Sequence, residues 1–273
     1  MDGLYLYCLR EKTEATPPIS AKGIDGKEGV FVFPYRDLEA VVSKVSLEDF
    51  ASESIQKKAR ENLNWIKEKA LAHEKVIEEA MMTNNRVLSV VPMKFGTIFK
   101  EKAGLEDILD KDYSKLRGVL EKIRKKQEWS VKVYLKDKKI LGQRIKEKNE
   151  TLKEKEKEIA SLPEGMAYFV EEELKEIIAK EIEKELDNIA EILFERLKKQ
   201  AVDATKCKIL QKELTVRREP MILNAAYLIS EEKIEYFKNE ASTINQQIRR
   251  NGFCLEYSGP WPVYNFTRLE VEK

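Results

Sequence analysis

The chain has 273 residues and 36% of them are charged, but its 50 Lys and Arg nearly balance its 49 Asp and Glu, leaving a net charge of +1. This balance disfavours a nucleic-acid-binding protein, because such proteins usually concentrate a basic excess on one face. No run approaches the ~20 apolar residues that cross a bilayer, and no signal peptide is recognisable. The sequence therefore predicts a cytoplasmic protein with no membrane contact.

The first half of the chain combines short apolar runs with helical periodicity. Apolar runs bounded by Gly, Pro or polar residues are typical of strands, whereas apolar residues at every third or fourth position indicate an amphipathic helix. Asn84 and Asn85 would end the first helix, because Asn tolerates the left-handed conformation. The predicted elements are strands at 3–9, 30–33 and 38–45 (the last could also be helical), a loop at 11–29, a helix at 55–82, an apolar stretch at 86–99 and a helix at 105–126.

The second half contains the most charged part of the chain. Pro163 and Gly165 divide it into two helices, and the second carries one apolar stripe from Val170 to Leu197, as expected of a long amphipathic helix. Ser230 is a candidate N-cap for the last helix. The predicted elements are strands at 128–135, 207–218, 221–229 and 253–259, a charged helical hairpin at 137–200 and a helix at 231–250.

This order of elements predicts an α+β protein with two domains. Residues 1–127 would form an N-terminal domain with a mixed α/β sheet. Residues 128–273 would form a C-terminal domain whose β-αα-β-β-α-β order matches the ferredoxin-like unit, with the charged helical hairpin in place of its first helix.

Motifs for catalysis or metal binding are not recognisable. The single histidine, His73, lies on the apolar face of the helix predicted at 55–82, where a packed structural role is the ordinary interpretation. Cys8, Cys207 and Cys254 are far apart and odd in number, which favours free thiols. Phosphate-binding glycine loops and nucleophile elbows do not occur in the sequence. We therefore expect no catalytic residue, no cofactor, no metal and no small-molecule substrate.

Two alternatives from other functional classes stay open. One is a small-molecule enzyme on a ferredoxin-like scaffold, for which His73 is the only obvious starting point. The other is an RNA-binding module, which needs exposed aromatic residues on one face of a sheet. The strand at 128–135 places Trp129 and Tyr134 on opposite faces, so the second alternative has little support.

Two apolar stretches are interrupted by Pro and Gly, PMKFGTIF at 92–99 and GPWPVYNF at 259–266. We expect residues 86–91 to form a core strand, Pro92 to end its regular pairing and residues 94–97 to bend away near a sheet edge. The ordinary interpretation of both stretches is core packing, and the functional one is a contact surface for a partner. The candidate partner-binding residues are Lys94, Phe95, Thr97, Trp261, Tyr264 and Phe266.

These stretches and four others, in order along the chain, resemble the GvpF/GvpL family of gas vesicle accessory proteins. Ser130 stands where the family often has Gly, and Val263 replaces the second proline of its last motif. The departures leave open whether the chain is F-like or L-like. The matching segments are GLYLYCL at 3–9, AHE at 72–74, PMKFGT at 92–97, EWSVK at 128–132, LNAAYL at 223–228 and GPWPVYNF at 259–266.

The resemblance implies a function in gas vesicle assembly that does not involve catalysis. Family members are thought to bind the small hydrophobic shell protein GvpA and other accessory Gvp proteins, and to occur as minor vesicle components. We therefore expect this chain to be found in the cytoplasm and on gas vesicles. The family also implies two α+β domains, in agreement with the division predicted from the order of elements.

Overall fold

A computed structural model of the chain describes residues 2–12, 19–50, 52–82, 86–210 and 217–267. Asn84, Asn85 and parts of the predicted loop 11–29 and strand 207–218 lie outside these residues. The strands are β1 (Asp2–Glu11), β2 (Val30–Tyr35), β3 (Leu38–Ser46), β4 (Val90–Pro92), β5 (Ile98–Phe99), β6 (Lys126–Leu135), β7 (Asp203–Lys206), β8 (Met221–Ser230) and β9 (Phe253–Trp261). The helices are α1 (Leu47–Phe50), α2 (Ser52–Glu61), α3 (Leu63–Met81), α4 (Lys102–Lys111), α5 (Tyr113–Ile123), α6 (Lys138–Lys148), α7 (Glu150–Ser161), α8 (Glu164–Lys198) and α9 (Ile234–Arg249).

The chain divides into two compact units, each with its own antiparallel pairing. Among the described residues the first unit contains 2–128 and 259–267, and the second contains 129–258. The predicted C-terminal domain included 259–266, whereas these residues group with the first unit in the structure. Their side chains contact acidic residues of that unit, as described below.

The first unit is built around β1, which is buried along most of its length. Its sheet has the order β2-β3-β1-β4, and β5 also pairs with β1. All of these pairs are antiparallel. The strands predicted at 3–9, 30–33 and 38–45 are confirmed, including the one that could have been helical. Helix α3 packs on this sheet and buries His73, Val76, Ile77, Ala80 and Met81.

The helices predicted at 55–82 and 105–126 were each wrong as single helices. The first breaks at Asn62, whose side chain accepts a hydrogen bond from the Trp65 amide at 3.0 Å and so begins α3. The second breaks at Asp112, between α4 and α5. In both places the apolar periodicity continues across the break, and this continuity explains the error.

The second unit has a sheet of order β7-β8-β6-β9, with β7 and β8 antiparallel. The strands predicted at 128–135, 221–229 and 253–259 are confirmed. Pairing with β8 uses residues 203–206, which lie just before the strand predicted at 207–218, and residues 211–216 of that prediction lie outside the described residues. Residues 207–210 are not in a strand.

Helices cover the core of the second unit, and α8 and α9 contribute a buried apolar side to it. The charged hairpin is present, but its first arm is two helices, because Asn149 caps α7 by accepting from the Leu152 amide at 3.3 Å. Ser230 was predicted to cap the last helix, and its side chain makes no capping hydrogen bond. A 3-10 turn at Glu231–Lys233 leads into α9 instead.

Candidate partner-binding site

The stretch at 90–99 forms one interrupted edge strand along β1. β4 pairs with Cys8, Leu9 and Arg10, and β5 pairs with Leu4 and Tyr5. Between them the amide of Met93 donates to the Tyr7 carbonyl at 2.8 Å, and the amide of Leu6 donates to the Thr97 carbonyl at 2.9 Å. Regular pairing covers 90–92 rather than the predicted 86–91, and Pro92 is its last residue. The predicted bend at 94–97 is confirmed.

The bend has a fixed shape. Gly96 has φ +82°, a left-handed conformation that side chains rarely adopt. The Thr97 hydroxyl donates to the Lys94 carbonyl at 2.7 Å and closes the turn. The Gly96 amide donates to the Tyr5 hydroxyl at 2.9 Å, which ties the turn to the central strand. Lys94 is exposed, whereas Phe95 and Thr97 are half-buried.

A buried aromatic cluster holds the turn from below. The Tyr5 hydroxyl lies 3.0 Å from Nδ1 of His73, whose ring stacks on Tyr7 at 5.7 Å and meets Phe95 edge-on at 5.8 Å. Burial lowers the pKa of His73 to about 4, with the Met93 carbonyl opposing the change, so the ring is neutral near pH 7. His73 therefore has the packed structural role that the sequence predicts.

The C-terminal segment reaches the next residue of α3. The Tyr264 hydroxyl donates to Oε2 of Glu74 at 2.8 Å. Burial raises the pKa of Tyr264, and the charge of Glu74 raises it further. Burial also raises the pKa of Glu74, while the hydrogen bond from Tyr264 opposes that change. Consecutive residues of α3, His73 and Glu74, thus contact the turn and the C-terminal segment respectively.

A second carboxylate fastens the C-terminal segment at β6. Glu128 is buried, and it accepts hydrogen bonds from the Asn265 amide at 3.0 Å and from Asn265 Nδ2 at 2.6 Å. Burial raises the pKa of Glu128 to about 7, and the two Asn265 hydrogen bonds oppose this while the charge of Glu74 adds to it. Both carboxylate oxygens bond to the same residue, so the group has an evident structural role.

We call the six predicted partner-binding residues, Lys94, Phe95, Thr97, Trp261, Tyr264 and Phe266, the turn–tail surface. All six belong to the first unit. Trp261 and Tyr264 are each 37% exposed, and Phe266 is half-buried. The sequence did not predict that Glu128 and Asn265 position this surface. They lie 137 positions apart, and no local pattern marks such a pair.

The described part of the second unit has open cavities of about 570, 470 and 460 Å³, the first of them between α6 and α8. Charged residues dominate the lining of the first cavity, unlike the mostly apolar lining of a typical ligand pocket. A cavity of about 40 Å³ beneath the turn has an apolar lining that includes Leu6, Met93 and Phe99, and it is too small for a metabolite. Among the described residues no cluster of three or more His, Cys, Asp or Glu could hold a metal ion. No helix in those residues combines the length and apolar character needed to cross a membrane.

Comparison with known proteins gives one consistent result. The model of the family described as gas vesicle synthesis protein GvpL/GvpF matches residues 3–268. The chain is 23% identical to gas vesicle protein F1 of Halobacterium salinarum, over 99% of this chain and 95% of that protein. It is 24% identical to gas vesicle protein L of a Streptomyces species, over 98% and 94%.

Two crystal structures share the fold. Gas vesicle protein GvpF from an Anabaena species has a TM-score of 0.74 and 22% identity, with 98% of this chain and 99% of that chain covered. GvpF from Microcystis aeruginosa has a TM-score of 0.65 and 21% identity over the same shares of the two chains. At this level of identity the structures establish a shared mixed α/β architecture.

Proposed function

The chain belongs to the GvpL/GvpF family of gas vesicle synthesis proteins, and from this premise we propose that it binds the hydrophobic shell protein GvpA and other Gvp proteins during vesicle assembly. Family membership assigns it a gas vesicle accessory role. The identity of the partners, the absence of catalysis and a location in the cytoplasm and on the vesicle are parts of the proposal.

The turn–tail surface supports this proposal by combining exposed aromatic area with a rigid support. Trp and Tyr are the residues that most often dominate binding energy at interfaces, because they bury a large area at low entropic cost. Here Trp261 and Tyr264 are partly exposed, while Tyr264 is fixed by Glu74. This anchoring of an exposed aromatic segment is the observation that carries the proposal.

The physics of a shell subunit explains why such a partner is needed. A small protein with long apolar strands exposes unpaired edges before it assembles, and such edges aggregate. A soluble protein that covers part of this apolar surface keeps the subunit available for assembly.

We also propose that the second unit is a ferredoxin-like domain, with residues 259–267 returning to the N-terminal domain. The strand order β7-β8-β6-β9 supports this assignment, because the ferredoxin-like fold places its first and third strands at the centre. The helices before β7 and before β9 occupy the two helical positions of that fold.

A pull-down with purified GvpA tests the proposed function. We expect capture by the intact protein and weakening of about tenfold by Trp261→Ser or Lys94→Glu, since one interface anchor contributes on that order. Tyr236→Ser is the matched control, because Tyr236 is 68% exposed on α9 and lies outside the turn–tail surface. Absence of GvpA capture by the intact protein would refute the function. Equal loss in all three variants would refute the choice of surface.

A further inference from the structure

Helix α8 extends beyond the core that it helps to build. Leu174, Ile182 and Leu197 are buried on the apolar stripe of this helix. From Gly165 to Glu173, by contrast, every described side chain is exposed or half-exposed. These nine residues extend about 14 Å along the helix beyond Leu174, the nearest buried residue of α8, at 1.5 Å per residue. Ala167 and Val170 are half-buried there, but packing within the chain does not account for the large apolar side chains that stay exposed.

These projecting residues include large apolar side chains. Met166 is 60%, Tyr168 61% and Phe169 74% exposed, and Phe169 is the most exposed large hydrophobic residue in the described part of the chain. Met166 and Phe169 lie three positions apart and share a helix face. The rings of Tyr168 and Phe169 meet edge-on with centroids 5.9 Å apart. The three side chains form one apolar patch rather than scattered exposures.

The surroundings of the patch are acidic. From Ser161 to Leu174 the sequence contains four Glu and no Lys or Arg, although the whole chain is nearly neutral. Glu171, Glu172 and Glu173 are exposed on the turn that follows Phe169. Two lysines from outside this stretch pair with it, Lys155 with Glu173 and Lys175 with Glu172, each at 2.7 Å.

We propose that the hairpin tip, defined as Met166, Tyr168, Phe169 and Glu171, binds a basic amphipathic helix of a partner protein. Its apolar patch spans about one helical turn, which suits anchors spaced three or four residues apart on such a helix. Its carboxylates complement Lys or Arg beside those anchors, and this charge selects the partner. The inference stands on this surface and does not depend on GvpA being the partner.

The acidic surroundings also discriminate against other occupants. A second copy related by a twofold axis would place the same glutamates against each other. Anionic lipid and nucleic acid would meet the carboxylate of Glu171, while Lys155 and Lys175 are already paired with Glu173 and Glu172. A basic helix is the occupant whose charge lowers the electrostatic energy of the tip when its apolar face covers the patch.

Fluorescence anisotropy with labelled synthetic peptides tests the proposal on the full chain. The probe is a helical peptide of about 18 residues with Leu on one face and Lys beside it. We expect binding that weakens about tenfold in Tyr168→Ser/Phe169→Ser, weakens in Glu171→Lys and falls with added salt. Ile192→Ser is the matched control, since Ile192 is 55% exposed on the same helix outside the tip, and it should bind like the unsubstituted chain.

Four results would overturn the proposal. These are equal binding by the unsubstituted and Tyr168→Ser/Phe169→Ser chains, equal binding of a peptide with Glu in place of Lys, self-association that the double substitution removes, and binding to anionic vesicles that it removes. The tip is exposed, so circular dichroism of each variant should match that of the unsubstituted chain. Recovery of binding by Phe169→Leu would separate apolar contact from a folding effect.

Discussion

The carboxyl of Glu128 should make the stability of this protein depend on pH. A solvated Glu has a pKa of 4.5, and burial raises that of Glu128 to about 7. When the pKa of a group differs by one unit between the folded and unfolded chains, the free energy of unfolding changes by about 1.4 kcal/mol across the titration. Glu128 therefore lowers the free energy of unfolding by about 3 kcal/mol once the pH exceeds both values. This group is buried, so solvent does little to reduce the effect.

Whether stability rises or falls with pH depends on which state, folded or unfolded, holds the Glu128 proton more tightly. Below pH 4.5 both states are protonated at this position and Glu128 has no differential effect. Between pH 4.5 and about 7 the unfolded chain releases its proton first, so stability falls as the pH rises. Glu128→Gln removes the titration and keeps a neutral side chain. The side-chain amide of Asn265 can rotate so that its Oδ1 accepts from the new NH2 group of Gln, while the backbone N–H of Asn265 still donates to the Gln oxygen. Both hydrogen bonds are therefore preserved.

Guanidinium unfolding followed by circular dichroism measures this effect. The difference in unfolding free energy, Glu128→Gln minus the unsubstituted chain, should rise by about 3 kcal/mol between about pH 4 and pH 8.5. Ile192→Ser, at an exposed position on α8 that carries no titratable group, is the control and should give a difference that does not change with pH. A flat difference for Glu128→Gln, or one that falls as the pH rises, would refute the reasoning.

Three further substitutions test how the turn and the core are held. Gly96→Ala should lower the unfolding free energy by about 1 kcal/mol, because alanine is strained at φ +82°; a neutral effect in urea unfolding would show that the turn relaxes. His73→Phe keeps the ring but removes the Nδ1 partner of Tyr5, so we expect a loss of about 1–2 kcal/mol by the same assay. Arg10→Met leaves the buried Glu39 carboxylate without its guanidinium at 2.9 Å and should cost about 3–5 kcal/mol, whereas adding Glu39→Met should recover most of that loss. An Arg10→Met cost that the second substitution leaves unchanged would contradict the ion-pair explanation.

The strands that the structure confirms were predictable because their signal is local. β1 and β8 are buried on both faces, so almost all of their residues are apolar. Such a continuous apolar run can be recognised in the sequence without knowing what packs against it. The helix breaks were less predictable, for a definite reason. Asn62 and Asn149 cap helices with their own side chains, yet the apolar spacing continues past both. A single polar residue that competes with the helical backbone is a weak signal beside an uninterrupted periodic pattern.

The candidate site was predictable only in part. Its six residues stand in two stretches whose Pro, Gly and aromatic residues fit neither a helix nor a regular strand. The carboxylates that bind Tyr264 and Asn265 of the C-terminal stretch could not be predicted in this way. Glu74 meets Tyr264 across 190 positions, and Glu128 meets Asn265 across 137. A carboxylate in a charge-rich sequence resembles every other carboxylate until folding buries it, so neither contact has a local signature.

By itself the sequence determined most of the described strands, the amphipathic character of the long helices, the bend at 94–97 and membership of a gas vesicle family. These properties follow from spacing, composition and short motifs, which act over a few residues. Only the tertiary structure decided that residues 259–267 return to the first unit, that α8 leaves an apolar tip exposed, and that burial raises the pKa of Glu128 to about 7. Each of these depends on which distant residues exclude water from a group, and no local pattern encodes that.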